Sequence, residues 1–144
     1  MLIQEIEFAT PAFDENLRLR NDILRVPLGL EFYVDDIAAE YDSLHLGAYT
    51  PDGTLVGSLI LKDLGDGRVK MRQVAVAEKF QKRGIGKKLV RESEKIAAAH
   101  GFSEMVLHAR ETAVPFYLQQ GYEKIGERFE EVEIPHFKMR KKPV

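Results

Sequence analysis

The stretch from Val74 to Val90 has the residue types and the order of an anion-binding site. Its apolar start ends at Glu78, a basic turn with two glycines follows, and an amphipathic helix begins directly after that turn. A helix N-terminus presents N–H groups without intrahelical partners and the positive end of the helix dipole. The stretch therefore predicts a phosphate site, with several phosphate ligands still possible.

The spacing of the glycines indicates which of these phosphate ligands the motif fits. Gly84-Ile85-Gly86-Lys87-Lys88 does not fit a Walker loop, which needs G-x-x-x-x-G-K-[ST]. It does not fit the dinucleotide pattern G-x-G-x-x-G either, because residue 89 is a leucine. The pattern present is Q-x-x-G-x-G, from Gln81 to Gly86, preceded by the apolar stretch Val74-Ala75-Val76.

This pattern resembles the signature loop of the GNAT superfamily of acyl-CoA N-acyltransferases. Residues Ala113–Tyr122 look like the family's A-x-x-F-Y-x-x-x-G-[FY] helix, and Pro135-His136 with Met139 resembles a bacterial subgroup that ends in P-H-x-x-M. The resemblance covers nearly the whole chain. It implies transfer of an acetyl group from acetyl-CoA to a primary amine of a small molecule or peptide, by direct attack in a ternary complex.

The resemblance also implies which residues hold the cofactor. The strand before the loop would bind the pantetheine arm through its backbone, and the loop would bind the pyrophosphate through backbone N–H groups, with Gly84 and Gly86 at positive φ. The implied cofactor-binding residues are Val74, Ala75, Val76, Gln81, Lys82, Arg83, Gly84, Ile85, Gly86, Lys87, Arg110, Phe116 and Tyr117.

Tyr117 is the implied general acid, since a phenol with a pKa near 10 can donate a proton to the leaving thiolate. The general base stays open. Some family members use a glutamate where this chain has Lys70, and many have an asparagine where it has Arg110, which could instead bind an anionic substrate group or phosphate. The remaining candidates for the base, directly or through a water, are Glu111, His108 and His136.

An alternative function is a catalytically silent domain that binds acyl-CoA as a sensor or partner module. Lys70 and Arg110 favour it, because both replace residues that family members use, and Tyr117 opposes it. Nucleotide binding through the glycine turn is disfavoured by the spacing. We expect no metal, since there are no cysteines and the four histidines lack the spacing of a metal motif.

Composition limits the partners. The 144 residues predict a single domain, 1–144, with 44% apolar and 31% charged residues. A net charge of −2 argues against a general nucleic-acid binder, and no apolar run approaches the ~20 residues that span a membrane. The acidic N-terminus does not resemble a signal peptide, so we expect a cytoplasmic location, and a homodimer is possible.

The elements that would position these residues follow from local patterns. Hairpin turns, alternating apolar residues and helix caps predict a mixed α/β (α+β) domain. The resemblance to the GNAT superfamily implies a central sheet that is mixed but mostly antiparallel, with about six to seven strands flanked by about four helices. A helix is expected from Pro11 to about Arg25, and another over 84–100. A phase change at Arg72-Gln73 indicates either a strand buried on both faces or a β-bulge.

The acceptor side would be built by residues 20–42 and the last hairpin, around Ile134–His136. Acidic residues there could attract a cationic amine, although each could equally be solvated surface. These acids are Asp35, Asp36, Glu40, Glu130 and Glu131.

Overall fold

The computed structural model describes residues 1–29 and 34–143, without the side chains of residues 34 and 35. The strands are β1 (Leu2–Ile6), β2 (Leu44–Tyr49), β3 (Leu55–Asp63), β4 (Arg68–Val76), β5 (Glu104–Arg110), β6 (Glu123–Glu131) and β7 (Ile134–Lys141). The α-helices of the described part are α1 (Pro11–Arg20), α2 (Val34–Ala38), α3 (Ile85–Ala99) and α4 (Val114–Gln119). The predicted fold class is confirmed.

All seven strands form one sheet in the order β1-β2-β3-β4-β5-β7-β6. Every neighbouring pair is antiparallel except β4 and β5, which are parallel. The pairing of β4 with β5 ends at Met71 and Leu107, although the strands continue to Val76 and Arg110. The two central strands therefore separate at this end and leave a cleft in the sheet.

Helix α3 packs against β2, β3 and β4, next to this cleft. Leu89 and Val90 are fully buried on its inner face, and burial of one such side chain contributes about 1.5–3 kcal/mol. Gly57 in β3 permits the close packing, because a Cβ there would lie 2.9 Å from Leu89 Cδ1. No helix in the described part of the chain is long and apolar enough to cross a membrane.

The first helix reaches Arg25 as predicted, but its last turn is not α-helical. Thr10 caps it as expected, accepting from the Phe13 N–H at 3.3 Å, but regular α-helix ends at Arg20. The chain then forms a π-helical turn over Asn21–Arg25 and a 3-10 turn up to Gly29, where φ is +68°. The cause is Pro27, which has no N–H to donate and crowds the preceding turn.

The β-bulge in β4 is confirmed. Ser58 pairs with Ala75 and Ile60 with Arg72, so β4 uses one residue more than β3 over the same length. Gln73 has φ +52°, a left-handed conformation that is uncommon outside glycine. The bulge lies where β4 leaves β5, and it changes the direction of the backbone groups that follow it.

We expect the buried His45 to make the fold less stable in acid. Its Nε2 lies 3.1 Å from the Glu40 carbonyl oxygen and must donate to it, so Nδ1 is the bare nitrogen, and no described group bonds to it. Burial lowers the pKa of His45 below its ordinary 6.5. Its contribution to stability is thus present above pH 6.5 and is lost as pH falls through the lower folded pKa.

Urea unfolding at pH 7.5 and pH 5 measures this effect. The midpoint should be lower at pH 5, and the difference should shrink in His45→Gln, which cannot take up a proton. An equal pH difference in the two proteins would contradict the prediction.

Candidate active site

A cavity of about 550 Å³ occupies the cleft between β4 and β5. Its walls come from four parts of the chain: the turns after α1, the β4 bulge, the end of β5 with α4, and the β6–β7 hairpin. Leu24, Gln73, Tyr117 and His136 represent these four walls. The predicted acceptor segment and last hairpin thus both reach the cavity, although residues 30–33 lie outside the described part.

One wall offers a free strand edge. After Met71 no residue of β4 pairs with β5, while Ala75 and Val76 remain paired with β3. The edge of β4 that faces the cavity has the backbone groups of a strand without a neighbouring strand. An extended ligand that carries amide groups can pair with such an edge as an added strand.

A buried ion pair holds the bulge in place. Arg20 is fully buried, and its Nη1 donates to Gln73 Oε1 at 2.9 Å. The same guanidinium binds both carboxylate oxygens of Glu40 at 2.9 Å, and its Nε donates to Asn16 at 3.0 Å. Breaking a buried pair of this kind typically costs about 3–5 kcal/mol. Sequence reasoning missed Arg20, although it lies on the same helix face as the buried Phe13.

The glycine turn presents a row of free donors. Within the described residues, no oxygen accepts from the backbone N–H groups of residues 82–87, and the first helical bond runs from Lys88 to the Gly84 carbonyl. These N–H groups form the loop and first turn of α3. Positive φ was predicted at Gly84 and Gly86. Gly84 has φ +80°, but Gly86 is helical and Lys82 has φ +62°, so the prediction was wrong for Gly86.

Two side chains of the turn have structural contacts. Gln81 Nε2 donates to the Val76 carbonyl oxygen at 3.0 Å, and the Gln81 N–H donates to the Glu78 carbonyl at 3.3 Å. The Arg83 guanidinium lies 5.1 Å from the centre of the Phe80 ring. Gln81 thus connects the turn to the end of β4, while its own N–H is already used.

The space beside Gly86 is open. A Cβ on this residue would lie 3.7 Å from Phe116 Cζ and 3.9 Å from Val76 Cγ2, which are ordinary contacts. The fold itself therefore does not require a glycine here. The three residues belong to α3, α4 and β4, so the structure brings these predicted cofactor-binding residues together.

Tyr117 lines the cavity from α4 and is 8% exposed. Its ring packs edge-on against Phe116, at 5.0 Å, and Tyr122, at 5.7 Å. Burial raises the pKa of Tyr117 to about 12. No group of the described chain makes a hydrogen bond to its hydroxyl, so that hydroxyl remains available to a ligand.

Strands β5 and β7 each contribute a histidine to the cavity, and the carboxylate of Glu131 contacts both. Glu131 Oε1 lies 3.3 Å from His108 Nδ1, and Glu131 Oε2 lies 3.5 Å from His136 Nε2. His136 Nδ1 donates to the Ile134 carbonyl oxygen at 2.7 Å. Burial lowers the pKa of His108, in spite of the hydrogen bond that His108 donates to Glu131, which raises it. Sequence reasoning named both histidines but missed the contact that Glu131 makes with them.

The turn after Glu131 is strained. Val132 has φ +47° and Glu133 has φ +63°, and a β-branched residue in this region is a genuine outlier. This conformation places Val132 in the lining of the cavity, beside His136. Backbone strain of this kind tends to occur at functional sites.

The other predicted residues divide between cavity and surface. Arg110 lines the cavity, next to His136 in the sheet register, and Lys70 and Arg72 line it from β4. Glu111 does not line it, and its carboxylate accepts from Arg128 Nε at 2.9 Å in an exposed ion pair. The described residues contain no group of three His, Asp or Glu side chains arranged for a metal ion.

Comparisons with known proteins agree with this geometry. The sequence model of the Acetyltransferase (GNAT) domain family matches residues 32–143. YjcF of Bacillus subtilis, described as an uncharacterized N-acetyltransferase, is 36% identical over 77 residues, which are 53% of this chain and 55% of that protein. The matched region thus spans about half the length of that relative.

Two solved structures share the fold. An acyl-CoA N-acyltransferase from Pseudomonas aeruginosa has a TM-score of 0.83 at 22% identity, covering 97% of this chain and 98% of that one. The PaiA N-acetyltransferase from Thermoplasma acidophilum, solved in complex with coenzyme A, has a TM-score of 0.72 at 20% identity and covers 99% of both chains.

Proposed function

The chain belongs to the GNAT acetyltransferase family, and on this basis we propose that it transfers an acetyl group from acetyl-CoA to a primary amine by direct attack in a ternary complex. One observation carries the proposal. Tyr117, whose hydroxyl is free of partners in the described chain, and His108, whose lowered pKa favours the neutral imidazole, both line this cavity. A reacting centre held in the cavity can then receive a proton from the first residue and lose one to the second.

Coenzyme A fits the backbone features beside this cavity. Its pantetheine arm carries amides that can pair with the free edge of β4 after Gln73. Its pyrophosphate needs several N–H donors and positive charge, and residues 82–87 offer both at the N-terminus of α3. The open space beside Gly86 allows the close approach that such contacts need.

Tyr117 serves as the acid in this proposal. Sulfur becomes negative as the carbon–sulfur bond breaks, and the Tyr117 hydroxyl donates its proton to that sulfur. With a pKa of about 12, the hydroxyl keeps its proton over the pH range in which alkyl amines lose theirs. The same burial raises the proton affinity of a thiolate beside it.

His108 serves as the base. An alkyl ammonium has a pKa near 10.4 and must lose a proton before its nitrogen can bond to the acetyl carbon. Glu131 accepts from His108 Nδ1, which leaves Nε2 as the bare nitrogen that takes this proton, directly or through a water. Glu111 has no part in the proposal, because its carboxylate lies outside the cavity lining.

The attack is direct because the cavity offers no evident covalent carrier. The chain has no cysteine, and the described lining contains no serine. The products are the N-acetylated amine and coenzyme A, in which the sulfur holds the proton from Tyr117. The nitrogen loses its second proton to solvent as the amide forms, His108 releases the first, and Tyr117 regains one from solvent, so that one proton is released overall.

The test is release of the coenzyme A thiol from acetyl-CoA, measured with a panel of polyamines, amino acids, aminoglycosides and peptides. Acceptor-dependent release with at least one class of amine is expected. Tight binding of coenzyme A without any acceptor-dependent release would instead support a catalytically silent acyl-CoA-binding module.

We expect His108→Gln to lower kcat/KM by about tenfold, since a water can partly replace the base. His108 has a lowered pKa, so its neutral form gains population as pH rises through the region below 6.5. The ratio of wild-type to variant rate should therefore rise with pH there and become constant above it. His100→Gln, at the exposed end of α3, is the matched control. If the ratio of wild-type to variant rate were near one at all pH values, His108 would not be the general base.

A further inference from the structure

The cavity that we assign to the acceptor is rich in positive charge. Lys70, Arg72 and Arg110 line it, and Glu131 is the only carboxylate in its described lining. Glu131 already lies between His108 and His136. A cationic acceptor would therefore meet more repulsion than attraction at these walls.

These three cations have no carboxylate partner among the described residues. Lys70, Arg72 and Arg110 are each half-buried, and none forms an ion pair with a described Asp or Glu. Two other arginines of the sheet differ in this respect. Arg68 and Arg140 each bind an acidic neighbour, at 2.9 and 2.8 Å.

The pKa of Lys70 is consistent with a local shortage of negative charge. It is lowered chiefly by burial and next by the charge of Arg72, while Glu131 opposes this shift only in part. Burying positive groups without partners is unfavourable unless a ligand supplies the opposite charge.

Coenzyme A does not supply that charge. Its phosphates are assigned to residues 82–87, and the pantetheine arm and thioester that reach the cavity are uncharged. The negative group must therefore come from the second substrate. The cavity cations therefore bind a different anionic group from the phosphates that we assign to the glycine turn.

Of the expected acidic residues whose side chains the structure describes, only Glu131 lines the cavity. Glu40 is buried and bound by Arg20, while Asp36 and Glu130 are exposed outside the lining. The side chain of residue 35 lies outside the described part. The expectation of an acidic acceptor site was therefore wrong for Glu40.

We propose that the acceptor is an amine that also carries an anionic group, a carboxylate or a phosphate, and that Lys70, Arg72 and Arg110 bind this group inside the cavity. The inference rests on the proposed function, because it names the substrate class of the same site. The two arginines can offer paired N–H donors to a carboxylate or phosphate.

The first test compares small amines of similar size in the thiol-release assay: β-alanine, O-phosphoethanolamine, ethanolamine and 1,3-diaminopropane. We expect kcat/KM for the carboxylate or the phosphate amine to exceed that for ethanolamine by at least about tenfold, with 1,3-diaminopropane lowest. Whichever of the first two is better identifies the anionic group. Preference for ethanolamine or 1,3-diaminopropane would overturn the inference and leave the proposed function intact.

The second test needs no turnover, so that the two proposals can fail separately. In the presence of coenzyme A, glutarate or inorganic phosphate should raise the melting temperature of the wild type, and 1,3-diaminopropane should not. Absence of any shift with both anions would overturn the inference. Absence of thiol release with every amine would contradict the proposed function alone.

Single variants locate the binding site. Lys70→Met, Arg72→Gln and Arg110→Met should each reduce the rise in melting temperature that the anions cause. Each should also reduce the kcat/KM preference for the anionic amine by about tenfold. Lys138→Met is the matched control, because Lys138 lies on the neighbouring strand but outside the lining. Arg110→Glu should move the preference towards 1,3-diaminopropane. Equal behaviour of Lys138→Met and the three cavity variants would count against the assignment.

Discussion

Gly86→Glu is expected to weaken coenzyme A binding by about 10³-fold, as measured by calorimetry. A carboxylate at this position would stand beside the N–H groups that we assign to the pyrophosphate. Two like charges about 4 Å apart near a protein surface repel by roughly 4 kcal/mol, which corresponds to about three powers of ten in affinity. The glutamate side chain would also fill the open space beside the first turn of α3, where the pyrophosphate would approach.

Two matched variants separate charge from bulk. Gly86→Gln adds nearly the same volume without charge, and Gly86→Ala adds a methyl group whose contacts, 3.7 and 3.9 Å, are ordinary. We expect the alanine variant to fold and to bind coenzyme A. The affinity of the glutamine variant for coenzyme A should lie between those of the alanine and glutamate variants. Unchanged affinity in Gly86→Glu, with a normal melting temperature, would remove this turn from the phosphate site.

Tyr117→Phe is expected to lower kcat by about 10²-fold or more, with little change in the affinity for acetyl-CoA. The substitution keeps the ring that packs on Phe116 and Tyr122, and no described group bonds to the hydroxyl that is removed. The fold should therefore stay stable while the proton donor is lost. Steady-state kinetics with the best amine acceptor, together with a binding titration, measures both quantities.

Tyr122→Phe provides the opposite control. Its hydroxyl donates to Glu94 Oε2 at 2.8 Å, in a buried contact outside the cavity lining. Loss of this hydrogen bond should lower the free energy of unfolding by about 1.5–3 kcal/mol and leave kcat nearly unchanged. If both variants lost turnover equally, or if Tyr117→Phe kept full turnover, Tyr117 would not be the acid.

The elements of the fold were predictable where the signal is local. Thr10-Pro11 at a helix start, the phase change at Arg72-Gln73 and the stop at His100-Gly101 each determine the backbone through neighbouring residues, and the structure agrees at all three. The end of α1 was not predictable in the same way. Its apolar spacing continues past Arg20, while the chain changes there to a π turn and then to a 3-10 turn that contains Pro27.

The candidate site was likewise predictable only where the signal is local. The loop and its free N–H groups follow from a short pattern of residues. The contacts of Arg20 with Gln73 and of Glu131 with His108 join residues 53 and 23 positions apart, so only the tertiary fold brings them together. The P-H-x-x-M subgroup, the extent of the domain, the cytoplasmic location and the homodimer stay predictions.

The buried Arg20 has a consequence for protein engineering. It joins α1, whose following turns line the acceptor side, to the bulge that shapes the cofactor edge, and Glu40 completes the same pair. If the proposed sites are correct, the two substrate sites are therefore coupled rather than independent. A library that varies α1 to change amine preference is then expected to alter acetyl-CoA affinity as well. By linkage, an acceptor whose binding changes the affinity for acetyl-CoA has its own affinity changed by acetyl-CoA by the same factor.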